Sequence, residues 1–220
     1  AKVMGAYINI GNEGFKSSLR DEYVDKTGLI AEINNTLFRE RRFTCVTRCR
    51  RFGKSMAAKM LCAYYDRSCD SRALFKGLEI EKHPSFEEHL NKYAVIYVDM
   101  TDFITRYSHD SGIVDHIQSI LIKDIKKAYK NVEISDTDNL MDVLVEICDA
   151  TGDKFFMIID EWDAICREFD PKSQAMENYV NFLRRMFKSE KGQRVFAGVY
   201  MTGILPIKKQ NTQSALNNFW

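Results

Sequence analysis

Arg50-Arg51-Phe52-Gly53-Lys54-Ser55 is the stretch on which the reading of this chain turns. It follows the apolar run Phe43-Thr44-Cys45-Val46-Thr47 and leads into a helical pattern that opens at Met56. A strand, a tight turn ending in Gly-Lys-Ser, and a helix whose first amides face the turn make a cradle for phosphate. The unpaired N–H groups at a helix start and the helix dipole both favour an anion there. The sequence therefore predicts a phosphate-binding loop for a nucleoside triphosphate, with Arg50, Arg51, Phe52, Gly53, Lys54, Ser55 and Met56 around the phosphates. Arg48 occupies the first glycine position of the GxxxxGK[ST] pattern. The cradle is built mainly by backbone amides near Gly53, Lys54 and Ser55, so binding does not require that first glycine. Arg50 and Arg51 are either further donors to phosphate oxygens or solvated loop charges.

A second signal lies further along the chain, where Phe155-Phe156-Met157-Ile158-Ile159 runs into Asp160-Glu161. This is the Walker B pattern: a buried parallel strand delivers an acid to its carboxyl end, which is where open α/β sheets hold ligands. The alternative for Asp160 and Glu161 is an acidic helix cap.

Four ordered blocks resemble the signature of the prokaryotic AAA-ATPase-like family. They are Tyr23-Val24-Asp25-Lys26-Thr27-Gly28-Leu29-Ile30, Arg50-Arg51-Phe52-Gly53-Lys54-Ser55-Met56, Ile159-Asp160-Glu161-Trp162-Asp163 and Tyr200-Met201-Thr202-Gly203-Ile204-Leu205-Pro206-Ile207-Lys208-Lys209. The resemblance covers nearly the whole chain, with one departure: Cys49 stands where the family usually has proline, which leaves the loop less stiff. It implies a P-loop NTPase three-layer sandwich with a mainly parallel sheet of the additional-strand class. It also implies a nuclease-like domain of the PD-(D/E)XK type beyond this chain. The chain is expected to be cut before the last strand, since no fifth strand and no nuclease cluster are visible.

Strands and helices are expected to alternate, the pattern of a parallel sheet covered on both faces. After the loop come a helix over 56–66, a strand over 94–100, a helix over 111–130 with a three-to-four apolar stripe, and a helix over 139–151 leading to the Walker B strand. A helix over 172–188 leads to a last strand over 195–201, for four sheet strands in all. Residues 23–35 are expected to form a lead-in segment and the first helix. Residues 1–220 then make one AAA-ATPase-like domain, with 1–40 packed on it. Asp25 and Lys26 suit a salt bridge or helix cap, while the resemblance would set them on the adenine side of the pocket.

Composition narrows the classes. At 220 residues, 45% hydrophobic and 29% charged, the chain is an ordinary globular protein able to bury a large core. A net charge of +1 argues against nucleic-acid binding through this chain alone. Arg39-Glu40-Arg41-Arg42 and Arg184, Arg185 and Lys188 are expected to be solvated basic faces. No apolar run approaches a membrane span and no signal-peptide build is seen, so a cytoplasmic protein is expected. The six cysteines include no CxxC pair and are expected as reduced thiols, with Cys49 nearest a ligand. The four histidines lack metal-ligand spacing.

The expected chemistry follows from phosphate charge, since catalysis of phosphoryl transfer is mostly positioning and electrostatics. Lys54 reaches the β and γ phosphates of ATP, Ser55 and Asp160 hold Mg²⁺, and Glu161 polarises the attacking water. By resemblance Thr202 is the polar sensor of the γ phosphate; a structural hydroxyl is the alternative. Trp162 is expected in packing, and Asp163 as a cap or an acid behind the site. The absence of a guanine-reading NKxD motif favours ATP. Two functions stay open: an ATPase that drives or times an attached effector, and a nucleotide-binding switch or interaction scaffold with little hydrolysis. A homo-oligomer is a further candidate arrangement.

Overall fold

The computed structural model describes residues 5–21, 23–47 and 56–204. These form a four-stranded sheet in the order β1-β4-β3-β2, comprising β1 (Phe43–Thr47), β2 (Ala94–Asp99), β3 (Phe155–Asp160) and β4 (Phe196–Gly203). All three pairings are parallel, with Val46 opposite Thr202 and Asp99 opposite Asp160. The four expected strands are present, and placing β4 between β1 and β3 brings the phosphate-loop strand and the acid-bearing strand to either side of one neighbour.

The helices are α1 (Glu13–Arg20), α2 (Gly28–Asn34), α3 (Met56–Tyr65), α4 (Phe86–His89), α5 (Met100–Arg106), α6 (Ile113–Ala128), α7 (Leu140–Thr151), α8 (Ala164–Glu168), α9 (Gln174–Phe187) and α10 (Glu190–Val195). Their starts follow local chemistry. Asn139, Ser173 and Ser189 each accept a backbone N–H of the first turn, from Asp142, Met176 and Gly192. Gly152 closes α7 with φ +75, a left-handed conformation that suits glycine.

Strand parity divides the interior in two. Ile96, Val98, Phe155, Met157, Ile159, Val199 and Met201 pack with the apolar stripes of α6, α7 and α9. Val95, Phe156, Ile158 and Tyr200 pack instead with α2, α3 and α4, as does Ala197, which the register shift between β3 and β4 moves out of parity with Val199. Successive residues of a strand face opposite sides, so strands apolar at every position need a helical layer on each face. This is a three-layer sandwich. In α3, Ala58 and every residue from Met60 to Tyr65 are buried. It is an interior helix rather than an amphipathic one.

The structure corrects the sequence reading of the amino-terminal part. A helix, α1, precedes the segment expected to hold the first one. Of its eight residues only Phe15 is fully buried, with Leu19 packed partly buried at i+4, so its apolar stripe is only two residues long. Phe15 stacks on Phe75 with ring centroids 5.1 Å apart, so tertiary contact rather than pattern seats it. Upstream, Asn9 N–H donates to Val95 O at 3.2 Å and Tyr97 N–H to Tyr7 O at 2.7 Å, covering the open edge of β2.

Arg42 also departs from expectation. It is buried, and its guanidinium donates to the carbonyls of Arg39 (2.6 Å) and Phe196 (2.9 Å), so it is a clamp on the start of β4 rather than part of a solvated basic face. Among the described residues no helix is long and apolar enough to cross a membrane.

Candidate functional site

Parity also places the polar residues at the carboxyl ends of the strands. Asp160 follows Phe156 and Ile158 on the α3 side of β3, and Thr202 follows Tyr200 on the same side of β4. Tyr97 sits on that side of β2. The three side chains meet: the Thr202 hydroxyl donates to Asp160 Oδ1, and the Tyr97 hydroxyl donates to Asp160 Oδ2 at 3.3 Å. Asp160 is only 5% exposed, so its charge sits close to α3. Burial, followed by the charges of Asp66, Cys69 and Asp160, pushes the Cys62 thiol on that helix well above its ordinary range. α3 starts at Met56, directly after the Gly-Lys-Ser tripeptide. Arg50, Arg51, Phe52, Gly53, Lys54 and Ser55 lie outside the described residues, as do Arg48 and Cys49; Met56 is partly buried at the helix start.

Glu161 is not a continuation of the strand. Its φ is +52, a left-handed backbone uncommon for a residue with a side chain and a usual mark of locally stored strain at sites. The turn separates its side chain from that of Asp160. Glu161 N–H donates to Thr202 Oγ1 at 3.1 Å, so one hydroxyl of β4 fixes both consecutive acids. The helix-cap alternative fails for both, because the residue at the cap position of α8 is Asp163. Asp163 makes no side-chain cap bond there. One of its oxygens accepts Ile204 N–H at 3.0 Å and the other accepts Arg167 Nη1 at 3.0 Å, which ties the exit of β4 to α8.

Trp162 is fully buried, as expected of a packing residue. Its backbone N–H donates to Thr202 O at 2.8 Å and its backbone carbonyl accepts the Tyr179 hydroxyl at 2.6 Å. A Cβ at Gly203 would lie 2.5 Å from Trp162 Nε1, so the indole requires glycine at the end of β4.

Sequence reading passed over three residues here. Tyr97 and Asp99 lie inside an apolar strand, and only the β2–β3 register sets Asp99 opposite Asp160. Burial, with smaller contributions from the charges of Asp102 and Asp160, holds the Asp99 carboxyl above its ordinary value. Arg167 was the third. Its i,i+4 spacing from Asp163 was the one signal that could have pointed to it.

Asp25 and two of the cysteines can also be placed. Asp25 accepts Thr27 N–H at 2.9 Å and Glu79 N–H at 2.7 Å, and so ties the start of α2 to the turn at Glu79–Lys82. Burial and the charge of Asp163 push the thiols of Cys45 and Cys166 up to about 12, so both are protonated and poorly nucleophilic near neutral pH.

Thr202→Val keeps the shape of the side chain but leaves Asp160 Oδ1 and the Glu161 N–H without their shared partner. A loss of about 1–3 kcal/mol in folding stability is expected. Urea unfolding of the two proteins checks it, and equal midpoints would count against the link.

The all-parallel order β1-β4-β3-β2 between two helical layers, with an acid at the carboxyl end of β3 on the face covered by α3, defines a P-loop-like α/β sandwich. A family model described as Predicted AAA-ATPase matches residues 9–212, and the chain belongs to this AAA-ATPase-like family. No curated protein matches the chain.

Proposed function

We propose that this chain binds ATP with Mg²⁺ and hydrolyses it, and that the cycle drives or times an attached effector such as a nuclease-like domain. The observation that carries this reading is the joint anchoring of Asp160 and Glu161 by Thr202 at the carboxyl edge of the sheet, on the face of the helix that follows Gly53-Lys54-Ser55. In this reading Lys54 lies against the β and γ phosphates, and Arg50, Arg51 and the Gly53 to Met56 amides surround them.

The donor set fits a nucleotide-borne ion. Among the described residues no group of three or more His, Cys, Asp or Glu could hold a metal by itself, whereas Asp160 offers a carboxylate whose lone pairs exceed the two hydrogen bonds it accepts. Ser55 and Asp160 would hold Mg²⁺, which supplies neutralisation of phosphate charge. Glu161 orients a water and takes its proton as the water oxygen bonds to the γ phosphorus. The bond from that phosphorus to the bridging oxygen breaks, releasing ADP and inorganic phosphate. Thr202 acts through the two acids, since its proton is committed to Asp160.

The test is phosphate release from ATP with and without Mg²⁺. Release above background that requires the ion supports the hydrolysis reading. Binding without release leaves the nucleotide switch or scaffold. A related expectation concerns the ion alone: Mg²⁺ should bind the nucleotide-free protein weakly, with Kd near or above roughly 1 mM by calorimetry, because too few protein oxygens complete its octahedral shell. Micromolar binding without nucleotide would argue for a different site.

A further inference from the structure

Arg167 stands beside the acid pair, outside every motif of the sequence. It lies on α8, and its two terminal nitrogens reach different carboxylates: Nη1 donates to Asp163 Oδ1 at 3.0 Å, and Nη2 lies 3.9 Å from Glu161 Oε2. Asp163 is a fixed anchor, fully buried and held on its other oxygen by Ile204 N–H. Glu161 sits in a left-handed turn whose backbone N–H is held by Thr202, and its side chain is largely buried beside Arg167.

We propose that Arg167 is a positioning residue that aims the Glu161 carboxylate, the planar guanidinium using Asp163 as its anchor and its second arm as the guide. This inference rests on the role given to Glu161 in the proposed hydrolysis. The geometry suits guidance rather than capture. At 3.9 Å the pair is longer than a hydrogen bond, so the guanidinium acts on the carboxylate as a directing charge rather than as a donor that captures it. A guanidinium does this better than an ammonium, because one rigid fork addresses two acids at once.

The experiment measures kcat and KM for Mg-ATP, ATP affinity by calorimetry and thermal midpoint for wild type, Arg167→Gln and Arg167→Lys. Arg167→Gln is expected to lower kcat at least roughly tenfold while KM, ATP affinity and midpoint hold, since misaiming a base slows the chemical step without loosening the bound nucleotide. Arg167→Lys, which keeps the charge but not the fork, should fall between the two. Unchanged kcat in a folded Arg167→Gln overturns the proposal. So does an ATP affinity that drops with kcat, which would make Arg167 a direct phosphate ligand. If Arg167→Gln does not fold, Arg167→Lys decides: a several-fold lower kcat at the wild-type midpoint supports the role, and wild-type kcat overturns it. Absence of turnover in the wild type overturns the hydrolysis reading itself, and this inference with it.

Discussion

Lys54→Ala is expected to weaken Mg-ATP binding by roughly 30- to 150-fold while the protein stays folded. The removed ammonium would otherwise neutralise the β and γ phosphates, and a charge-assisted contact of that kind contributes roughly 2–3 kcal/mol. The fold should tolerate the change because Lys54 precedes α3, and the packing on that side of the sheet rests on Ala58, Met60, Leu61, Tyr64 and Tyr65. Calorimetric titration with ATP, alongside a thermal melt of both proteins, measures the two parts separately. Unchanged affinity in a folded variant would remove the phosphate-loop reading of Gly53-Lys54-Ser55.

The second large effect is expected at Glu161. Glu161→Gln should retain ATP affinity yet lose hydrolysis by roughly 10²–10⁴-fold, because the amide keeps the size of the side chain but is a poor proton acceptor. The Thr202 contact uses the Glu161 backbone N–H, so the substitution leaves it in place, and Asp160 keeps both of its hydroxyl donors. Single-turnover hydrolysis with parallel nucleotide affinities tests this. Equal rates in the two proteins would assign the base elsewhere; Asp99, set opposite Asp160, would be the next carboxylate to examine.

The pair of variants separates the two functions that the sequence left open. An ATPase loses binding in the first and turnover in the second. A nucleotide switch or scaffold loses binding in the first and shows no change in the second, because there is no turnover to lose.

Much of the architecture was written locally. Five-to-seven-residue apolar runs without polar alternation call for strands covered on both faces, and the three-to-four stripe of Ile113, Ile117, Leu121 and Ile125 calls for a helix lying on them. The caps at Asn139 and Ser173 fix where helices begin within a residue or two of the sequence expectation. The failures have physical causes as well. α1 depends on Phe15 meeting Phe75, and Arg42 is buried only because β4 begins beside it. Neither partner is near in sequence.

The candidate site divides along the same line. Short-range pattern alone set out the Gly-Lys-Ser turn, the apolar strand ending in Asp160-Glu161 and the alternating elements between them. Each is a property of consecutive residues, carried by backbone hydrogen bonding and side-chain period. Tertiary structure decided that Thr202 and Tyr97 both donate to Asp160, that Asp99 lies opposite it, that Glu161 leaves the strand in a left-handed turn, and that Arg167 reaches across to it. Apart from that of Arg167, which lies six residues from Glu161, those arrangements rest on contacts between different strands. Their existence depends on strand order and register, which are set by how the whole apolar interior closes, and no local stretch of sequence carries that information.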